Sequence, residues 1–227
     1  MNEIAENIRL LKKELPDNVK LVAVSKTKTI EDIMEAYEAG HRIFGENRVQ
    51  ELLGKYEHVP GDIQWHMIGH LQRNKVKYIA GFIHLIESVD SEKLLREINK
   101  EGARAGRTID CLLQFHIARE ETKFGFSVEE ARQMIESGVS EELRNVNIRG
   151  VMGMATFTED MDRVRSEFVY LRSVFEELKE GFFQKKDDFC EISMGMSGDY
   201  KVALEEGSTM VRIGTAIFGA RYCKIDN

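Results

Sequence analysis

The chain has 227 residues, with 39 acidic against 32 basic side chains and a formal net charge of -7. That balance excludes a general nucleic-acid binder, which needs a basic surface to displace phosphate counterions. No run nears the ~18 apolar residues of a membrane span, and the first twenty residues mix acids and bases without a signal peptide's apolar stretch.

Spacing of Ile4, Ile8 and Leu11 predicts an amphipathic helix over 2–14, stopped at Pro16-Asp17. The run LVAV then reads as a buried parallel strand ending in Ser25-Lys26. A helix follows over 30–39, with Glu31 and Asp32 in its first turn and Gly40 after its end. Next come a strand over 41–45, a helix opening at Glu46-Asn47 and running to Tyr56, a strand over 64–68 and a helix over 72–80. The same rhythm continues with strands over 83–87, 109–116, 148–154, 189–194 and 209–213. Between them lie helices over 92–105, 128–136, 161–179 and 199–205, with Ser127 as an expected N-cap.

Eight strand–helix units with short connections, no linker and only Pro16 and Pro60 predict a single-domain (β/α)8 barrel over 1–227, preceded by the N-terminal helix. No G-x-G-x-x-G follows the first strand, which weakens a dinucleotide site. Cys111, Cys190 and Cys223 stand apart with no CxxC pair, the pattern of reduced, buried thiols in a cytoplasmic protein.

In such a barrel the carboxyl ends of the strands converge on one mouth. They carry Lys26, Asn47, Gly69-His70, Ser88, the KFGF loop at 123–126 and Met152, Gly153 and Met154. Two loops after strands seven and eight, SMGMSGD and VRIGTA, offer small residues and free N–H groups suited to an anion. A lysine amine on strand one with two anion-ready loops suits a phosphorylated carbonyl compound, held by phosphate and by Schiff-base chemistry. Metal chemistry is disfavoured, because His66 and His70 straddle a strand end without an HExxH frame. Ser193 and Ser197 likewise lack the G-x-S-x-G frame of a nucleophile elbow.

The segments AVSKTKT, FGENRVQE, WHMIGHLQRNK, KFGF, GVMGMAT, ISMGMSGD and VRIGTAIFGAR together resemble the pyridoxal-phosphate-binding homeostasis family over nearly the whole chain. The resemblance implies a fold-type III barrel like the N-terminal domain of alanine racemase, holding pyridoxal 5′-phosphate as an internal aldimine on Lys26. It further implies that Ser193 or Ser197, with Gly214 and Thr215, cradles the phosphate. Arg212 is expected at the pyridine nitrogen, and Asn47, His70 and Met152 near the ring or its oxygen. Arg48 stands where relatives often carry a tyrosine.

A racemase needs two acid/base groups, one for each face of the substrate. In alanine racemases the second is a tyrosine from a C-terminal domain of the partner subunit, and here the sequence ends at Asn227, soon after strand eight. None of Tyr37, Tyr56, Tyr78, Tyr170, Tyr200 and Tyr222 falls at a predicted strand end. An arginine at the ring nitrogen is also a poor proton source, holding its proton above about pH 12.

The expectation is therefore a non-catalytic, monomeric, cytoplasmic carrier of pyridoxal phosphate that serves vitamin B6 and amino-acid homeostasis. Other B6 vitamers are further ligands, and apoenzymes that use the cofactor are recipients. The enzyme alternative is a small racemase or lyase with Lys26 as its single base. A cofactor-free isomerase of sugar phosphates is the third class.

Overall fold

The computed structural model describes residues 3–118 and 124–219. Eight strands run β1 Lys20–Val24, β2 Ile43–Glu46, β3 Gln64–Met67, β4 Leu85–Val89, β5 Ile109–Phe115, β6 Val146–Gly153, β7 Glu191–Ser193 and β8 Met210–Ile213. They pair in sequence order, all parallel, and β1 closes on β8 through Lys20–Met210 to Ala23–Ile213. The predicted closed barrel is therefore the observed one.

The N-terminal helix α1 (Glu3–Glu14) buries Ile4, Ile8 and Leu11 as the spacing required. It is tied to the far end of the chain where Asn7 donates to Ile217 O at 3.0 Å and the Tyr200 hydroxyl donates to Glu14 at 2.9 Å. The outer helices are α2 (Ile30–Glu38), α3 (Val49–Tyr56), α4 (Val76–Ile79), α5 (Glu92–Ala105), α6 (Val128–Glu136), α7 (Val139–Glu142), α8 (Met161–Gly181), α9 (Tyr200–Glu205) and α10 (Thr215–Phe218). Thr29 and Ser127 close capping boxes with Asp32 and Glu130, so two orphan donors are satisfied at each of these helix starts.

Apolar strand residues such as Phe44, Trp65, Ile86 and Val151 face the helices in the main core, while Val22, Leu85, Leu112, Met152 and Met210 fill the barrel itself. This is the alternation expected when every strand has one face inward and one outward.

Several expectations are corrected. The helix expected over 72–80 is a 3-10 turn, Arg73–Lys75, followed by the single turn α4, and α7 was not foreseen. The segment opening at Glu46-Asn47 remains strand through Glu46, and α3 begins only at Val49. Cys190 is exposed, because it precedes β7 and lies outside its buried register; Cys111 is buried as expected, and burial pushes its thiol pKa up. Cys223, Tyr222 and Lys123 lie outside the described residues.

Candidate functional site

A cavity of about 440 Å³ opens at the carboxyl ends of the strands. Lys26 and Lys28 reach it from the turn after β1, Asn47 from the end of β2, Met154 and Phe157 from the segment after β6, and Met161 from the start of α8. Ser197 and Gly198 come from the loop after β7, Arg212 from β8, and Gly214 and Thr215 from the start of α10. The cavity thus combines small and hydroxyl-bearing residues from the β7–β8 side with the apolar Ile68, Met154, Phe157 and Met161.

Lys26 sits at the second position of a four-residue turn closed by Lys28 N donating to Ser25 O at 3.0 Å. Thr27, at the third position, has φ of 64° and is the one non-glycine residue with positive φ among the described residues. Such a turn normally takes glycine there, and left-handed backbone costs other residues about 1–2 kcal/mol. Both neighbours of Lys26 are held from α3. The Lys55 ammonium donates to Ser25 O at 2.8 Å, to Glu46 Oε1 at 2.7 Å and to Glu51 Oε1 at 2.7 Å, while Glu51 Oε1 also accepts from Thr27 N. The Ser25 hydroxyl completes the cluster by donating to Glu46 at 2.7 Å. Burial pushes the Glu46 carboxyl up, against the opposing pull of Lys55 and Ser25.

Behind the cavity, inside the barrel, lies a second polar chain. His66 Nδ1 is 2.7 Å from Glu87 Oε1, the Ser193 hydroxyl donates to Glu87 Oε2 at 2.6 Å, and Arg212 donates to Ser193 Oγ and, at 2.9 Å, to Gly153 O. All four side chains are buried. Burial alone raises the Glu87 carboxyl, but the His66 hydrogen bond and the charges of His66 and Arg212 outweigh it and hold it below the ordinary glutamate value. Burial lowers Arg212, opposed by the charges of Glu87 and Asp199.

Of the residues the sequence singled out, Lys26, Asn47, Ser197, Arg212, Gly214 and Thr215 line this one cavity. Ser193, Met152 and His70 are not among its lining. Ser193 has its hydroxyl committed between Glu87 and Arg212, and Met152 is packed in the barrel interior. His70 is exposed, with Nδ1 2.8 Å from Asp90 and its ring stacked on Phe124 at 3.8 Å. Arg48 is the exposed N-cap residue of α3. Sequence reasoning missed Glu46, Glu51, Lys55 and Glu87. A lysine four residues after a glutamate on one helix was the available signal for the first cluster.

The donor set fits a phosphorylated aldehyde on an aromatic ring. Asn47 Oδ1 is buried without a hydrogen-bond partner, an unspent group of the kind a ligand satisfies. Gly69 backs it so closely that a Cβ there would lie 2.5 Å from Asn47 O. In the β7 loop Gly195 has φ of 97°, and a Cβ would meet Ala203 at 2.6 Å, so this loop folds against α9 only with glycine. Ser197 Oγ accepts from Gly214 N at 3.3 Å, which joins the two anion-ready loops. Asp199 also lines the cavity; its carboxylate accepts from Met196 N of its own loop, and burial raises its carboxyl.

The family model for the alanine racemase N-terminal domain matches residues 1–222. The pyridoxal phosphate homeostasis protein of Aquifex aeolicus is 42% identical over 89% of this chain and 87% of its own length. The human protein of the same name is 38% identical over 89% of this chain and 76% of its own length. Among solved structures, PipY of Synechococcus elongatus with pyridoxal phosphate bound is 35% identical and superposes with a TM-score of 0.87, covering 95% of this chain and all of PipY. A Clostridium difficile alanine racemase shares the fold at 13% identity, with a TM-score of 0.77 over 97% of this chain and 57% of the racemase.

Proposed function

The chain belongs to the pyridoxal phosphate homeostasis proteins, built on the alanine racemase N-terminal domain, and from that premise we propose that its mouth holds pyridoxal 5′-phosphate without turning over a substrate. The observation that carries this reading is the convergence of Lys26, Arg212 and the Ser197–Gly214 loop pair on one cavity.

When bound, the cofactor supplies an aldehyde for a lysine amine, a ring nitrogen and a phosphate. Lys26 carries it covalently through Nζ. Ser197, Gly214 and Thr215 would hold the phosphate, the Ser197 hydroxyl and the Gly214 N–H exchanging their mutual hydrogen bond for contacts to it. Arg212 would donate to the ring nitrogen, and Asn47, whose Oδ1 has no hydrogen-bond partner, would stand near the ring or its oxygen. Ser193 serves indirectly, since its hydroxyl is spent on holding Arg212. Ser197→Ala is expected to weaken pyridoxal phosphate binding about tenfold while leaving pyridoxal binding unchanged, as read by equilibrium titration with each.

Two features support a carrier. Among the described residues neither a tyrosine nor a histidine lines the cavity, so the tyrosine that serves as second acid/base group in alanine racemases has no counterpart in its lining. Arg212 remains charged at neutral pH, so it orients the ring nitrogen without protonating it. The proposal extends to other B6 vitamers as ligands and to cofactor-dependent apoenzymes as recipients, with the chain a monomer in the cytoplasm. Among the described residues no helix is long and apolar enough to cross a membrane.

The test is α-proton exchange. Loaded protein and a panel of L- and D-amino acids are incubated in heavy water and followed by NMR. Exchange no faster than with free pyridoxal phosphate is expected; rapid exchange would mean that Lys26 serves as a base in a racemase or lyase.

A further inference from the structure

We propose that Glu51 and Lys55 of α3 are positioning residues for Lys26, holding its turn in a strained shape that aims the amine into the mouth. This rests on the assignment of Lys26 as the cofactor's anchor.

The geometry is specific to that purpose. A turn that needs positive φ at its third residue is served at no steric cost by glycine. Here the residue is Thr27, β-branched and exposed, so the shape must be imposed from outside. The imposing contacts fall on either side of Lys26 and come from one helix: Lys55 on Ser25 O, and Glu51 on Thr27 N. Glu46 anchors Lys55 from β2, and Ser25 N donates to Gly45 O at 3.0 Å, so the strand end, the turn and α3 form one body. Lys28, the last residue of the turn, is fixed independently by donating to Phe218 O at 2.9 Å and Gly219 O at 3.2 Å. With both ends held, relaxing Thr27 to negative φ rotates the peptide units around Lys26 and redirects its side chain. Position of the amine therefore depends on α3, which contacts Ser25 and Thr27 and lines none of the cavity.

The experiment compares wild type, Glu51→Ala, Glu51→Gln, Thr27→Gly and Glu51→Ala/Thr27→Gly. Each is mixed with pyridoxal phosphate, and the visible absorbance of the bound cofactor gives both attachment rate and affinity; thermal unfolding of the cofactor-free proteins is measured alongside. Glu51→Ala is expected to weaken affinity about tenfold. Glu51→Gln keeps an acceptor for Thr27 N and stays near wild type. Adding Thr27→Gly to Glu51→Ala, which removes the strain that the clamp opposes, restores affinity to within about threefold of wild type.

A merely structural Glu51 would lower the unfolding temperature of the alanine variant and leave affinity in the folded protein unchanged, and glycine at 27 would rescue nothing. Either result overturns the proposal. Should wild type itself fail to attach the cofactor, the anchor assignment falls, and the proposal falls with it; wild type that attaches normally beside an unaffected Glu51→Ala overturns the clamp alone.

Discussion

Arg212→Leu is expected to lower unfolding free energy by about 3 kcal/mol, because it removes the guanidinium 3.7 Å from the fully buried Glu87 carboxylate and leaves only His66 to offset that charge. The gross attraction lost is less important than the cost of stranding a charge where water cannot reach it. Glu87 keeps His66 and the Ser193 hydroxyl, yet neither replaces a permanently charged guanidinium. Adding Glu87→Gln to Arg212→Leu should therefore recover a substantial part of the loss, since a neutral amide strands no charge. Urea unfolding of the two single variants and the double variant measures this directly, and simple additivity of the two effects would show that Glu87 and Arg212 are not coupled.

The same network sets a pH dependence whose sign is fixed. Glu87 has a folded pKa below its ordinary value, so its contribution to stability is present above the unfolded glutamate value of about 4.3 and is lost as pH falls through the folded value. Wild type should lose stability on acidification below about pH 4, and Glu87→Gln should lose less over that interval.

The second large effect concerns function without fold. Lys26→Met is expected to abolish covalent retention: the variant should emerge colourless from desalting after loading with pyridoxal phosphate, while wild type stays coloured. Lys26 is only partly buried and lies in a turn, outside the barrel core, so the unfolding free energy of the cofactor-free variant should stay within about 0.5 kcal/mol of wild type. A coloured Lys26→Met protein would transfer the anchor to another amine, for which Lys28 is the neighbour on the same cavity.

The barrel was legible because each strand is a short apolar run closed by a polar or glycine-bearing turn, and because eight such units repeat without interruption. The mouth was legible for the same reason: carboxyl ends of parallel strands meet, so Lys26, Asn47, Ser197, Arg212, Gly214 and Thr215 were placed together by topology alone. Direction within the mouth was not. Ser193 is the last residue of β7 and turns inward onto Glu87, whereas Ser197, four positions on, lies in the loop and opens to the cavity. Both belong to one SMGMSG segment, and no pattern in it tells a strand hydroxyl from a loop hydroxyl.

His70 follows Gly69, where the chain leaves the strand, and its ring is drawn outward by Asp90 and Phe124, residues remote in sequence. The sequence places Glu46 at a helix start. In the fold it is the buried end of β2, stabilised there by a lysine nine residues later. Buried ion pairs within and behind a barrel are decided by register between elements, which a single chain's periodicity does not carry.

The most direct test of the central claim is borohydride reduction of the protein loaded with pyridoxal phosphate, followed by peptide mass mapping. Reduction fixes the cofactor to whichever lysine holds it. A phosphopyridoxyl mass confined to the peptide containing Lys26, absent from Lys26→Met, is the predicted result. Label spread across surface lysines, or none on the Lys26 peptide, would contradict the account and leave the mouth as a site for a different phosphate.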